Sequence, residues 1–217
     1  MKRIPIITAL SMGAGLVMLA APVAAELNAN LGVTSNYIWR GLTQSNDTSA
    51  VSGGIDFSHQ EGFYAGTWVS STTANQYEHD LYGGYGFKAS DIDLDVGFIQ
   101  YRYPVTDPNS YDFSEVYVNA KYLQFGAGAA LTISKQGTGD DNDLYLYGSA
   151  DIELKKDLTL NLLVGNYSFD DSRFEDYTHF HASLHKDEFS FAVDKNDRSG
   201  ADGDARVSVA WSRSFEL

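Results

Sequence analysis

Cysteine is absent from the 217 residues, so no disulfide can hold an exported form of this chain together. Positive charge is scarce: 15 Lys and Arg stand against 29 Asp and Glu, a formal net charge of −14, which argues against a nucleic-acid partner. Beyond residue 25 no stretch approaches about 18 consecutive apolar residues, so no transmembrane helix is expected. If the chain enters a membrane, it does so as strands.

What is present begins with a targeting segment. Lys2 and Arg3 precede an apolar run from Ile4 to Ala21, interrupted by Pro5 and Gly13, and Val23-Ala24-Ala25 forms a small-residue cleavage site. The expected division is a signal peptide at 1–25 and one domain at 26–217. A retained anchor is the alternative, disfavoured by the short run and the well-formed cleavage box. Removing Lys2 and Arg3 from the 15 basic residues leaves 13 against 29 acidic ones, a balance near −16.

The stretch LNANLGVTSNYIWRGLTQS at 27–45 shows the construction rule of the rest. Leu27, Ala29, Leu31, Val33, Ser35, Tyr37 and Trp39 alternate with Asn28, Asn30, Gly32, Thr34, Asn36, Ile38 and Arg40. A period of two means a strand with unlike environments on its faces. The segment suits a tilted strand crossing a bilayer in about 9 to 11 residues plus extensions. Twelve such segments follow one another, this first one read as Leu27 to Gln44. The cleanest sets Ile92, Leu94, Val96 and Phe98 against Asp93, Asp95 and Gly97; the phase of 63–71 is ambiguous.

The connections alternate too. Those after even segments are short (59–62, 88–91, near Leu123, 155–157, 186–188), and most after odd ones are longer (104–112, 135–142, 170–176, 195–204). Short periplasmic turns and long outer loops make this pattern, and an even count puts both termini on the periplasmic side. The expected fold is therefore all-β, a transmembrane antiparallel up-and-down barrel of about twelve strands. A soluble lipocalin-like barrel or a sandwich would show its polar face to water. That face should be rich in Lys, Glu and Thr, whereas here it is rich in Gly, Ser, Asn, Ala and Tyr, as in a crowded interior. Aromatics gather in two expected girdles. Tyr37, Trp39, Tyr101, Tyr103, Tyr145, Tyr147, Tyr167 and Phe169 form the outer rim, and Phe57, Phe63, Phe87, Trp211 and Phe215 the inner.

At SNYIWRGLTQS the chain resembles the TorF-family porins, a bacterial outer-membrane group also known as Gcw_chp. AVSGGIDF at 50–57, GFYAGTWVS at 62–70, EHDLYGGY at 78–85, YRYP at 101–104, YDFSEVYV at 111–118 and the closing DARVSVAWSRSF fit the same pattern. The resemblance covers nearly the whole mature chain and implies a small outer-membrane barrel, with no substrate or catalytic residues attached. One departure is the ending Phe215-Glu216-Leu217, where barrels of this kind commonly finish on an aromatic. Recognition by the barrel assembly machinery would then use Phe215 from an internal position.

Three groups of residues could carry chemistry. Asp56, Glu78, Asp80, Asp93, Asp95, Glu115, Asp151 and Glu153 fall on polar faces, with Arg40, Lys121, Arg206 and His181. An acid-rich lining focuses cations, so mild cation preference is expected of an open pore; alternatively the same groups form networks that plug it. In HFHASLHK, His179, His181, Ser183 and His185 share a face. A His-x-Ser pair beside a carboxylate is what a lipid A deacylase barrel uses, but this face should point inward and no acidic partner is recognisable. Nor do three histidines on one strand suit a metal, since residues i and i+4 lie about 13 Å apart. The run Gly139-Asp140-Asp141-Asn142-Asp143 could hold calcium, but its spacing is not that of an EF-hand and a solvated loop is the simpler reading. Gly53-Gly54 and Gly83-Gly84 sit inside strands, where they permit bends or close backbone contact rather than cradle phosphate.

The function these features favour is a passive outer-membrane channel for small hydrophilic solutes in a Gram-negative bacterium. A non-conducting structural or adhesive barrel is the alternative, and a lipid A-modifying enzyme a third. Expected partners are outer-membrane lipids and lipopolysaccharide, the assembly machinery and the solutes themselves; no cofactor is expected.

Overall fold

Alternation along each segment becomes strand structure throughout the computed structural model, which describes residues 25–73, 76–104, 111–136 and 141–217. The targeting segment up to residue 24, the middle of the 104–112 loop, and Gly139 and Asp140 of the acidic run lie outside the described residues. The elements are β1 (Ala25–Thr34), β2 (Ile38–Trp39), β3 (Leu42–Thr43), β4 (Ala50–His59), β5 (Phe63–Ser71), β6 (Tyr77–Ala89) and β7 (Ile92–Arg102). They continue as β8 (Phe113–Tyr122), β9 (Phe125–Lys135), β10 (Leu144–Lys155), β11 (Leu158–Ser168), β12 (Tyr177–Lys186), β13 (Phe189–Asn196) and β14 (Arg206–Glu216).

All but β2 and β3 form one closed antiparallel barrel of twelve strands. β1 closes it, pairing with β4 on one side (Thr34 opposite Ala50) and β14 on the other (Thr34 opposite Ala210). Closure leaves no strand edge unpaired, the condition a sheet must meet inside a bilayer. Five tight turns connect strands at the end that also carries Ala25 and Glu216. Each holds one residue with positive φ: Gly62, Ser90, Leu123, Asp157 and Asp187. Such turns match the strand twist and fix the register on either side.

The faces are inverted relative to a water-soluble protein. Val51, Phe63 and Phe180 are each more than half exposed on the outer surface, while Glu78, Asp80, Asp95 and Glu115 are at most 3% exposed inside. A soluble barrel would bury the apolar row, so this one meets lipid with it. The ambiguous strand β5 resolves the same way, with Phe63, Ala65 and Val69 outward and Tyr64, Gly66, Trp68 and Ser70 inward. Inward glycines make room for tyrosines from neighbouring strands: Tyr64 lies over Gly84, Tyr117 over Gly97 and Tyr147 over Gly128, where any Cβ would collide with the ring.

Two expectations need correction. The first strand does not run to Gln44: it stops at Thr34, and residues 35–49 turn back into the barrel, carrying the β2–β3 hairpin. The outer aromatic girdle is not formed as expected either. Tyr37, Tyr101, Tyr145 and Tyr167 are buried, each at most 7% exposed, and pack around the hairpin instead. The inner set behaves as read, with Phe57, Phe63, Phe87 and Phe215 exposed on the outer surface.

Placing a charge on the outer face should therefore be costly. Val96→Lys, midway along β7, is expected to lower barrel stability by roughly 2–4 kcal/mol in a denaturant titration from lipid vesicles. A change under about 0.5 kcal/mol would contradict the lipid-facing assignment.

Candidate functional site: a hairpin folded into the lumen

The inward turn begins where Thr34 ends β1. Its hydroxyl donates to the Asn36 carbonyl at 2.8 Å and accepts from the Asn36 N–H at 3.3 Å, a local bond that competes with the strand ladder. Residues 35–49 are then tied to themselves: the Gln44 N–H donates to the Tyr37 carbonyl at 2.7 Å, the Tyr37 N–H to Ser45 Oγ at 2.9 Å, and Thr43 Oγ1 to Asn36 Oδ1 at 2.7 Å. At the tip Arg40 and Gly41 both have positive φ (47° and 79°), the conformation of a two-residue hairpin turn.

That turn puts Arg40 at the centre of the site. Its guanidinium forks onto Glu115 of β8, with both N–H···O contacts at 2.7 Å and side-chain exposures of 7% and 1%. The guanidinium carbon lies 4.2 Å from the ring centres of Trp39 and Tyr145 and 5.0 Å from that of Tyr167. A bidentate pair with aromatic faces around the cation is the geometry in which Arg, and not Lys, can be buried. Removing one partner of such a pair leaves an uncompensated charge, at a cost of about 3–5 kcal/mol.

Further contacts hold the hairpin to the wall. Tyr37 donates its hydroxyl to Glu78 at 2.7 Å and Tyr103 donates to the other oxygen at 2.5 Å. Asn196 donates to the Gly41 carbonyl at 2.8 Å, and Gly41 sits so close to His179 that an added Cβ would lie 2.5 Å from the His179 Cβ. Near the mouth, Arg206 Nε donates to Asp47 at 2.8 Å. Desolvation pushes the Asp47 carboxyl up, but hydrogen bonds from Arg206 and Asn36 outweigh it and hold the group below the usual carboxylate range. This latch contributes at neutral pH and is lost as acid protonates Asp47.

Below the hairpin the other expected lining residues do face inward, but as networks. Tyr64 donates to Asp95 at 2.6 Å and Asn119 to the same carboxylate at 3.1 Å, while Tyr147 donates to Asn119 at 2.8 Å. Asp56 accepts from Asn30 at 2.9 Å and from Tyr82. Lys121 and Asn161 each donate to Asp151 at 2.7 Å. Asp80 is buried beside these with one carboxyl oxygen lacking a partner among the described residues. Asp93 pairs with Lys88 near the tight-turn end, and Glu153 is exposed at that same end, so neither belongs to the central lining.

The histidine face points inward as read, and the barrel supplies what the sequence reading lacked. Asp194 of β13 lies opposite His181 in the β12–β13 register and contacts its Nδ1 at 2.8 Å. His181 Nε2 is 2.9 Å from Ser183 Oγ, and that oxygen is 2.8 Å from His185 Nε2. His179 stands apart, with Nε2 on the Tyr145 hydroxyl at 2.8 Å. A signal for Asp194 exists in the chain: counting equally outward from the two-residue turn Asp187-Glu188 brings residue 194 opposite 181. Among the described residues no group of three or more His, Asp and Glu side chains is arranged to hold a metal ion.

A closed twelve-strand barrel, apolar outside and polar within, has the fold of the porins, and solved porins resemble it. The KdgM porin superposes with a TM-score of 0.57 at 11% identity, over 88% of this chain and 99% of that one. The NanC porin gives 0.52 at 16%, over 88% and 100%. A KdgM porin in complex with disordered oligogalacturonate gives 0.54 at 10%, over 88% and 99%. At these identities the likeness is one of fold. No curated protein matches in sequence. The chain belongs to the family described as "Bacterial protein of unknown function (Gcw_chp)", which matches residues 20–206.

Gly41→Ala tests the seating of the hairpin, because it adds left-handed strain of about 1–2 kcal/mol and a clash with His179. Protease added to the loop side of reconstituted vesicles should cut within 35–49 in this variant and spare the native protein. Equal resistance in both would show that the hairpin does not rest there.

Proposed function

We propose that this protein is an outer-membrane porin of the TorF type, which passes small hydrophilic solutes through a lumen narrowed by its own first loop. The observation that carries the reading is the Arg40-tipped hairpin folded into a polar, lipid-encased barrel: a loop held inside a polar lumen by side-chain contacts narrows a passage and is not itself part of the wall. The porin likeness supports it, and so do the family match and the TorF-type motifs. The protein would reach the outer membrane of a Gram-negative cell by way of its signal peptide and the assembly machinery, and lie among lipids and lipopolysaccharide there. Carboxylates outnumber basic groups along the interior, which favours mild cation preference.

A non-conducting structural barrel is the second reading, favoured by the hydrogen-bond networks that tie Asp56, Asp95 and Asp151 to side chains one or two strands away along the inner wall. Planar-bilayer recording separates the two. The native protein should show small stepwise openings with a cation-selective reversal potential, and Arg40→Ala, which frees the hairpin, should raise unit conductance by roughly two-fold or more. Silence from both proteins across many insertions would favour the structural barrel and end the porin reading.

A further inference from the structure

We propose that Ser183 is a nucleophile, activated by His181 and Asp194, that cleaves small carboxylic esters, acetyl-sized in their acyl part, carried by hydrophilic solutes that enter the lumen. This goes beyond solute passage and rests on the channel reading, since the ester must enter the lumen; the channel reading does not depend on it.

The proton arrangement follows from the contacts. An ionised Asp194 can only accept, so His181 Nδ1 carries a hydrogen; the neutral ring then leaves Nε2 bare to accept from the Ser183 hydroxyl. Ser183 Oγ is left to accept from His185 Nε2–H. An acid orienting an imidazole that draws on a serine proton is the arrangement of acyl-transfer enzymes, recognised by geometry and not by chain order. His181, Ser183 and Asp194 are each at most 8% exposed, so their orientation is fixed by packing. Placement inside the barrel puts lipid esters out of reach and selects solutes of the lumen.

Beside Ser183 lies a cavity of about 30 Å³ lined by Asn36, Tyr37 and Ile38 of the inward loop and by Ala192 and Ala210 of the wall. That volume suits an acyl group no larger than acetyl, and the loop residues form its cover. In the reaction, Ser183 Oγ bonds the acyl carbon as its proton passes to His181 Nε2. The bond from that carbon to the solute oxygen breaks, and the oxygen takes the proton from His181 and leaves as an alcohol. Water, giving a proton to the same nitrogen, then releases acetic acid and restores the serine. Once Oγ is bonded to carbon, the His185 Nε2–H is free to donate to the oxyanion.

The test uses the purified full barrel, its closure checked by heat-modifiable gel mobility, exposed to p-nitrophenyl acetate. Peptide mass spectrometry should find acetylation at Ser183, faster in Arg40→Ala, and slower by about 100-fold or more in His181→Gln and Asp194→Asn. p-Nitrophenyl octanoate should leave Ser183 unmodified. Because His59 and His79 imidazoles can hydrolyse the ester without Ser183, turnover counts only as the difference from Ser183→Ala. Should that variant fail to close, Ser183→Cys replaces it, with faster iodoacetamide alkylation expected than in Ser183→Cys/His181→Gln. No acetyl-Ser183 in either the native or the Arg40→Ala barrel, or turnover unchanged in Ser183→Ala, overturns the proposal; acylation by octanoate as fast as by acetate does the same.

Discussion

The buried fork between Arg40 and Glu115 is the contact on which the interior of this barrel depends. Neither charge tolerates the lumen alone, and each is far from the other in the chain, so the pair ties a loop to the opposite wall. The aromatic rings that surround the guanidinium come from three places, the hairpin itself, β10 and β11, which makes the site a meeting point and not a local turn. A hydrophobic plug could fill the same space. A charged one has a defined register, since a guanidinium displaced by one residue loses both its carboxylate and its rings.

The wall makes that interior available. Along the paired strands the backbone hydrogen bonds are used within the closed sheet, so side chains on the inner row are free to be polar, and the outer row can be apolar without a protein core to receive it. The twelve-strand circumference leaves more room than eight strands would, and tyrosines take part of it up. Tyr64, Tyr117 and Tyr147 lie across glycines of neighbouring strands; Tyr64 brings its hydroxyl to Asp95, Tyr147 brings its own to Asn119, and the Tyr117 hydroxyl meets that of Tyr64. Asp56 and Asp95 are thereby held by neutral donors, while Glu115 and Asp151 are held by Arg40 and Lys121.

Strands, their order and most of their faces were legible in the chain because a period of two admits one reading once both faces are compared; β5 was the exception, since Thr67 and Trp68 interrupt its alternation. The tight turns were legible from their length. The first loop was not: Tyr37 and Trp39 continue the apolar alternation of β1, and nothing local distinguishes a side chain bound for lipid from one bound for Arg40. Gly41 was the available hint, as an Arg-Gly pair suits a two-residue turn. Tyr101, Tyr145 and Tyr167 were misplaced as a rim girdle for a related reason, since tyrosine serves equally at a membrane interface and in a polar interior. Asp194 was overlooked although the alternation of β13 places it on the inner face, because its meaning lies in the register with His181 and not in its own segment. Asp56, Glu78, Asp80, Asp95, Glu115 and Asp151 face inward as read, whereas Asp93 and Glu153 sit at the tight-turn end; whether the inward acids line or fill the lumen depends on contacts between strands, which no single strand encodes.

The most direct test of this picture is a double-mutant cycle between Arg40 and Glu115, using Arg40→Met, Glu115→Gln and the two together, read by denaturant unfolding of the reconstituted barrel. A buried, paired fork predicts that the double variant is more stable than the sum of the single losses implies, by about 1 kcal/mol or more. Additivity within roughly 0.5 kcal/mol would mean the two side chains do not meet, and the inward hairpin would have to be abandoned.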